Sequence, residues 1–311
     1  MFEEILKEIY KFDTIILHRH SKPDGDALGS QIGLKHVLKD SFPEKQIFVV
    51  GDGAGRYGFM KDCVMDDIPD SAFENSLCII LDCGAESLVS DTRYSFAAET
   101  IRIDHHMFSG KFADVEVIDS SCESCCGLIT KMAMEQNLTV SPLAAESLYT
   151  GMITDSGRFR YDSTTSETFK SAAFLLNKGI DTNEIYLNLY SDDFEIKRLR
   201  AEFILKIKFT ANNVAYIYTT KEELDKLEAD SFTISRGMVN TMADIKGVDI
   251  WVNFTETEDG ILCEIRSAKQ SVNHIAVKYG GGGHAKACGA TLDSKETAIQ
   301  MLNDLDNLIK E

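Results

Sequence analysis

The residues with the clearest chemical potential lie in one short segment near the N-terminus. The segment 20–26 contains one imidazole, His20, and two carboxylates, Asp24 and Asp26, around a proline and a glycine. Carboxylate oxygens combined with an imidazole nitrogen suit Mn²⁺, with Mg²⁺, Zn²⁺ and Fe²⁺ as the alternatives. The same aspartates would also shape a turn and cap a following helix. The segment by itself is compatible with either role.

Further aspartates and histidines follow two apolar runs. Asp82 comes directly after the run 77–81, and the triplet 104–106, Asp-His-His, comes directly after the run 100–103. Taken singly, such residues are ordinary caps, turns or surface groups. Because polar residues beyond the carboxyl ends of parallel strands meet at one edge of a sheet, together they predict one metal-binding site.

Asp155 is a further candidate, because it lies at the end of a predicted helix over 141–154. The simple interpretation is a helix terminus that is finished by Gly157. However, an acidic side chain is unfavourable beside the negative end of the helix dipole unless a cation compensates it. A bound metal ion would supply that cation.

A glycine run occurs far from these residues, at Gly280–Gly283, and His284 follows it. Consecutive glycines let backbone N–H groups approach a phosphate and form an anion-binding nest. A flexible turn would have the same composition. Lys286, directly beyond the run, and Arg266, on a preceding strand candidate, favour the anion site.

Five apolar runs in the first half have the length and the β-branched content of strands, and helical patterns accompany them. The predicted strands are 14–18, 47–50, 77–81, 100–103 and 115–118, and the predicted helices include 27–39, 124–136 and 141–154. Alternating strands and helices predict an α/β fold, with a parallel sheet covered by helices on both faces.

The second half predicts a helical connector and a smaller α/β domain. From 166 to 209 the pattern is helical without a strand signal. Strands resume at 214–218, 250–254 and 262–265, and a final helix covers 295–309. A chain of 311 residues exceeds the usual size of a single core. The predicted division is a first domain at 1–190, a connector at 191–209 and a second domain at 210–311, which the family resemblance described below makes a catalytic domain and a substrate-binding domain.

Charge and composition limit the partners. With 32 basic and 50 acidic residues the net charge is −18, which opposes binding of long duplex nucleic acid. A small anion remains compatible if metals supply positive charge. The acidic N-terminus, the lack of a long apolar run and eight scattered cysteines predict a cytoplasmic protein with reduced thiols and no membrane partner. The cluster Cys122, Cys125 and Cys126 has no second pair nearby for zinc, so we expect unremarkable buried cysteines.

At these residues the sequence resembles the DHH–DHHA1 phosphoesterase family. The resemblance rests on His20-x3-Asp24-x-Asp26, Asp82, Asp104-His105-His106 and Asp155 in that order, together with Gly281-Gly282-Gly283-His284. It covers nearly the whole chain and is closest to the compact two-domain bacterial oligoribonucleases that also remove the 3′-phosphate of phosphoadenosine phosphate. It therefore implies a hydrolase of short RNA or small adenosine phosphates.

The resemblance implies two Mn²⁺ ions. His20, Asp24 and Asp82 would hold one ion, while Asp26, Asp82, His105 and Asp155 would hold the other, with Asp82 as the bridge. Asp104 would orient a histidine, and His106 would lie beside the scissile phosphate. The motif leaves open which of the two histidines is the direct ligand. Paired metals of this kind activate a water and clamp the attacking and leaving oxygens.

The resemblance also implies that the C-terminal domain grips the substrate. Arg266, His284 and the amides of Gly281, Gly282 and Gly283 would bind the nucleotide or its terminal phosphate, and the site would be a cleft between the domains. A homodimer is implied as well, although no surface pattern in the sequence indicates one.

Rival functions differ in the sequence features they need. Manganese-dependent pyrophosphatases lack the glycine-histidine signature, long exonucleases need additional domains, and membrane-tethered cyclic-di-adenylate phosphodiesterases need spanning segments. Stand-alone phosphodiesterases for cyclic or linear di-adenylate share all these residues and stay open. A non-catalytic nucleotide sensor would be marked by loss of a ligand, and every expected ligand is present.

Overall fold

The structure, a computed structural model, describes residues 2–227 and 229–309. The chain divides into two compact units, one up to Ser191 and the other from Asp192 onward. In the described residues no helix combines the length and the apolar character that crossing a membrane requires.

The first unit is built on a five-stranded sheet. Its strands are β1 (Thr14–Arg19), β2 (Gln46–Val49), β3 (Leu77–Leu81), β4 (Glu99–Asp104) and β5 (Val115–Ile118). The order is β2-β1-β3-β4-β5, and every neighbouring pair is parallel. The predicted parallel sheet is confirmed, with strand ends within one residue of the predicted runs.

Helices cover both faces of this sheet, as predicted, but the two faces carry different kinds of helix. The α-helices are α1 (Phe2–Lys11), α2 (Gly25–Ser41), α3 (Cys125–Glu135), α4 (Pro142–Asp155), α5 (Ser166–Leu176) and α6 (Thr182–Tyr190). They share one core with the β1 residues Ile15 and Leu17. The alternate residue Ile16 faces a second core with Phe73 and Tyr94, where short 3₁₀ helices and loops cover the sheet.

Helices α2 and α4 pack at very close range because α2 carries glycines at every fourth position. A Cβ on Gly29 would lie 2.6 Å from the carbonyl oxygen of Ser147, and one on Gly33 would lie 2.6 Å from Leu148. A Cβ on Gly25 would collide with Thr154. Residues i, i+4 and i+8 share one helix face, so the glycines form a groove for α4. This packing brings the start of α2 beside the end of α4.

The second unit is a six-stranded mixed sheet with helices. Its elements are α7 (Phe194–Leu205), β6 (Lys208–Phe209), β7 (Ala215–Thr219), α8 (Lys221–Asp225), β8 (Ile250–Thr257), β9 (Gly260–Ser267), α9 (Asn273–Lys278), β10 (Gly282–His284), β11 (Ala287–Leu292) and α10 (Lys295–Leu308). The strand order is β10-β11-β9-β8-β7-β6. Strands β7 and β8 are parallel, whereas the other neighbours are antiparallel. The predicted second α/β domain is confirmed.

Two local predictions for this region are wrong in part. The stretch from 166 to about 209 is predicted to be almost wholly helical without a strand, but it ends in β6, a strand too short to show a pattern. The glycine run begins in a turn at Gly280, but Gly282–His284 forms β10 and pairs with β11. Because glycine itself has no preference for strands, pairing with a neighbouring strand determines the secondary structure of such a segment. In helix α7, Phe203 is buried in a core with Ile217 and Trp251 of the second unit.

Candidate metal centre

Three neighbouring strands deliver the central groups of the site. His20 follows β1, Asp82 follows β3 and His105 follows β4. Because β1, β3 and β4 are adjacent and parallel, their carboxyl ends place these side chains at one edge of the sheet.

Asp82 lies at the middle of the cluster and faces two groups at once. Its Oδ2 is 3.5 Å from Nε2 of His20, and its Oδ1 is 3.4 Å from Nε2 of His105. The side chain is 2% exposed, and the backbone adopts a left-handed φ of 53°, which is costly for a residue other than glycine. Among the described residues Oδ1 has no hydrogen-bond donor. A buried carboxylate oxygen without a donor fits a site for a cation.

Asp24 combines the two roles that the sequence leaves open. It is the N-cap of α2, and its Oδ1 accepts hydrogen bonds of 3.0 Å from the backbone N–H groups of Asp26 and Ala27. The same oxygen lies 3.7 Å from Nε2 of His20. Capping and membership of the cluster are therefore compatible.

Asp26 is fully buried beneath the cluster and is held by a second helix. Its Oδ2 accepts from the N–H of Cys125 at 2.7 Å, and its Oδ1 accepts from the N–H of Cys126 at 2.9 Å. These amides begin α3, where the helix dipole favours a negative charge. From the sequence, Cys125 and Cys126 are predicted to be unremarkable buried residues. Their thiols are buried and free, but their backbone amides fix a site carboxylate.

Asp155 completes a second group at the end of α4. Its Oδ2 is 3.3 Å from Nε2 of His105, which is also 3.7 Å from Oδ2 of Asp26. The glycine face of α2 allows α4 to approach α2 closely, and this approach brings Asp155 beside His105 and Asp26. Glycines at positions 25, 29 and 33 are the signal in the sequence for this packing, and the predicted start of the helix at residue 27 leaves the first of them outside it.

The charges of the cluster act strongly on one another. Burial, followed by repulsion from Asp82 and Asp155, raises the pKa of Asp26 well above its usual value. Burial also raises the pKa of Asp155 to about 7. Burial by itself lowers the pKa of His105, but Asp82 and Asp26 outweigh it and raise that pKa to about 10. Buried carboxylates that lie close together oppose one another's ionisation. A bound divalent cation would remove this repulsion.

The ligand atoms fit bound metal. Three groups each bring their ligand atoms within 4.8 Å of one another: His20, Asp24 and Asp82; Asp26, His105 and Asp155; Asp82, His105 and His106. Carboxylates outnumber imidazoles two to one in the first two groups, and the third group has one carboxylate and two imidazoles. This set suits Mn²⁺ and similar divalent ions rather than the thiolate-rich cages of structural zinc.

His106 is oriented by a buried ion pair behind it. Its Nδ1 lies 2.7 Å from Oδ1 of Asp104, and the other oxygen of Asp104 lies 2.5 Å from a guanidinium nitrogen of Arg102. Both Arg102 and Asp104 are fully buried, and the guanidinium also stacks on Phe112 at 4.5 Å. The hydrogen bond that the ring donates to Asp104 raises the pKa of His106. Arg102 was missed from the sequence because it sits inside a strand among apolar residues.

The other predicted residues lie in the second unit. Arg266 on β9 and His284 on β10 both pair with Ala287 of β11. They therefore lie at the same level of the sheet, on the two strands that flank β11. The Arg266 guanidinium lies 3.0 Å from a carboxylate oxygen of Glu264.

The glycines of this region have different roles. A Cβ on Gly281 would collide with the carbonyl oxygen of Gly289, whereas one on Gly282 would meet nothing within 4 Å. Gly281 thus serves close backbone packing. It also lines a cavity of about 390 Å³ together with Arg236, Glu264 and Gly289.

Comparison with known proteins agrees with this arrangement. The description "DHH family, N-terminal domain" matches residues 14–152, and "DHHA1 domain" matches residues 213–311. The Bacillus subtilis protein named bifunctional oligoribonuclease and PAP phosphatase NrnA is 33% identical, over 100% of this chain and 99% of its own.

Two further similarities cover the whole chain. A probable bifunctional oligoribonuclease and PAP phosphatase NrnA of Streptococcus mutans is 34% identical over 99% of both chains. The crystal structure of an exopolyphosphatase-related protein from Bacteroides fragilis has a TM-score of 0.88 and 28% identity, covering 100% of this chain and 97% of that one. The chain therefore belongs to the DHH–DHHA1 phosphoesterase family, whose members depend on divalent metals, and is a hydrolase that acts on phosphoric esters.

Proposed function

We propose that the enzyme is a Mn²⁺-dependent phosphodiesterase that hydrolyses short oligoribonucleotides to mononucleotides and also removes the 3′-phosphate of phosphoadenosine phosphate. The observation that carries the proposal is the position of Asp82, whose two oxygens face separate ligand groups. The names of the Bacillus and Streptococcus relatives support the substrates.

Each group would hold one ion. His20, Asp24 and Asp82 would form the first set, and Asp26, His105 and Asp155 would form the second. Asp82 would be shared by both sets, since its Oδ1 lies 3.4 Å from Nε2 of His105. We assign the second imidazole to His105, since its Nε2 lies within 3.7 Å of three carboxylates. When bound, paired divalent ions lower the pKa of a shared water and neutralise charge on the phosphate. The mixture of oxygen and imidazole ligands favours Mn²⁺.

His106 is available to the substrate. Asp104 accepts a hydrogen bond from Nδ1 of His106, so the proton on that nitrogen is fixed and Nε2 is left for the phosphate or the leaving oxygen. The side chain is 35% exposed, in contrast to the buried Asp104. His106 therefore acts at the scissile phosphate, and Asp104 with Arg102 positions it.

The second unit supplies binding groups. Arg266 and His284, at one level of the sheet, provide a guanidinium and an imidazole for a terminal phosphate or a nucleotide, and the glycines before His284, of which Gly282 is exposed, would provide backbone donors. Short substrates are consistent with a net charge of −18, because each added phosphate meets further repulsion.

A substrate panel tests the proposal. Turnover of a five-nucleotide RNA, phosphoadenosine phosphate, linear di-adenylate and cyclic di-adenylate would be compared with Mn²⁺, with Mg²⁺ and with chelator. We expect Mn²⁺-dependent release of mononucleotides from the RNA, with kcat/KM for the RNA above that for cyclic di-adenylate. Preference for either di-adenylate would make the chain a di-adenylate phosphodiesterase. Tight binding of nucleotides without any turnover would make it a sensor.

A further inference from the structure

Two arginines of the first unit differ from their neighbours in lacking an acidic partner. Arg19, Arg93 and Arg102 form ion pairs with aspartates at 2.5 to 2.7 Å. Within residues 2–227 and 229–309, Arg56 and Arg158 have no carboxylate at ion-pair distance. In a chain with 50 acidic residues, unpaired guanidinium groups are a notable local source of positive charge.

Each of these arginines stacks on a tyrosine instead. The Arg56 guanidinium lies 4.8 Å from the ring centre of Tyr57, and that of Arg158 lies 4.9 Å from the ring centre of Tyr190. Stacking fixes the plane of a guanidinium but leaves its N–H edge for an oxyanion. Two N–H groups on this planar edge can donate to two oxygens of one phosphate at the same time.

The two stacked pairs belong to one region of the unit. Tyr57 is 6% exposed and packs with Leu28 and Ile32 of α2. Leu189 of α6 packs against this same group, and Tyr190 is the next residue. The start of α2 and the end of α6 thus hold Arg56–Tyr57 and Arg158–Tyr190 in the same neighbourhood.

This region adjoins the metal-ligand cluster. Arg158 is three residues beyond Asp155, in a turn where Gly157, Arg158 and Phe159 all have left-handed φ values of 57°, 65° and 61°. Arg158 and Phe159 are consecutive residues other than glycine in this conformation, so the backbone is strained here. Such strain is typical of functional positions. On the other side, burial raises the pKa of Tyr57 and the Asp24 carboxylate adds to the rise, so the phenol lies within electrostatic range of the cluster.

From this geometry we propose that Arg56 and Arg158, each held on its tyrosine, bind the phosphodiester next to the scissile one in a substrate of three or more nucleotides. The inference rests on the proposed function and adds to it a determinant of chain length. A dinucleotide without a terminal phosphate has only the scissile phosphate and cannot use this subsite. Longer substrates gain a charge-assisted contact.

Kinetics on two substrates test the inference. KM and kcat would be measured for ApA, which has one phosphodiester, and for ApApApApA, with wild type, Arg56→Ala and Arg158→Ala. We expect each substitution to raise the KM for the pentanucleotide about tenfold more than the KM for ApA, as expected for loss of one charge-assisted hydrogen bond. Arg158→Lys keeps the charge but not the planar edge, so it should recover only part of the loss.

Lys178→Ala is the matched control, because Lys178 stacks on Phe174 at 4.4 Å in another part of the unit. It should change the two KM values equally or not at all. Thermal unfolding identifies any variant that fails to fold, and Arg→Gln substitutions then replace it. Equal KM changes for both substrates in the arginine variants, or no changes, would overturn the inference and leave the proposed function standing.

If wild type hydrolyses neither RNA, the proposed function fails, and that outcome is separate. The subsite is then judged by equilibrium binding of fluorescein-labelled ApApApApA and ApA in the presence of Mn²⁺. Wild type should bind the longer probe more tightly, and the Arg56→Ala and Arg158→Ala variants should lose that difference. A difference that survives both substitutions would contradict the subsite.

Discussion

The two units carry their functional residues in opposite environments. In the first unit, Asp26 and Asp82 are almost fully buried, and helix ends and strand ends fix them. In the second unit, Gly282 and His284 lie exposed on β10, the strand at the edge of its sheet. Buried charges interact strongly and tolerate little displacement, whereas exposed groups are screened by water. The proposed function places bond cleavage in the first unit and a part of substrate capture in the second.

The largest effect should follow from a change in the buried cluster. Asp155→Asn keeps the shape of the side chain and removes its charge, so we expect kcat to fall by about 10²- to 10³-fold with a small change in KM. A large KM increase at unchanged kcat would break the comparison, because Asp155 would then act in binding.

The same variant makes a prediction about pH. The pKa of Asp155 is raised to about 7 in the folded protein, so its ionised form opposes folding above that pH. Metal-free Asp155→Asn should therefore melt at a higher temperature than metal-free wild type at pH 8. The gain should shrink as the pH falls below 7 and should disappear only near the carboxyl's ordinary value of about 3.8, because between these two values the unfolded chain still gains free energy by ionising Asp155.

The next effect concerns the support behind His106. Arg102→Met leaves the buried Asp104 carboxylate without its 2.5 Å partner, and we expect a loss of about 3–5 kcal/mol in unfolding free energy. Activity of the folded fraction should fall about 10- to 100-fold in kcat, as when a partner that orients a catalytic histidine is removed. Arg93→Met is the control. Its pair with Asp91 is partly exposed and should be worth about 1 kcal/mol or less.

A smaller effect should follow from the exposed unit. Arg266→Ala removes a guanidinium that we assign to substrate binding, so KM should rise about tenfold while kcat changes by less than about threefold. His284→Ala should act in the same direction. If kcat fell as steeply as in Asp155→Asn, the separation between cleavage and capture would not hold.

The smallest effect separates two neighbouring glycines. Gly281→Ala would force a Cβ against the carbonyl of Gly289, and we expect it to destabilise the protein by about 1–3 kcal/mol. Gly282→Ala meets nothing within 4 Å and should unfold like wild type. Equal melting temperatures for the two variants would show that Gly281 has no packing role.

The sequence predicts the sheet of the first unit well because its strands are buried and apolar. The run 77–81 and the aspartate after it could be read directly, since an uninterrupted apolar run has few other uses. Asp24 was harder, because the same carboxylate caps α2 and faces His20, and a single residue type fits both roles.

What the sequence could not supply depends on contacts between distant segments. The N–H groups that hold Asp26 come from a helix that starts about 100 positions later, at Cys125. Arg102 resembles a strand residue until its pairing with Asp104 is seen. Strand β10 exists because β11 is beside it, and its glycines alone favour a turn.

Counting bound ions tests most directly whether Asp82 joins two metal sites. Titration calorimetry with Mn²⁺ should give two ions per chain for wild type. For Asp82→Asn, which preserves the side-chain shape, we predict one ion or none, with kcat for a five-nucleotide RNA reduced at least about 10³-fold. An Asp82→Asn protein that binds two ions and retains wild-type turnover would contradict the account.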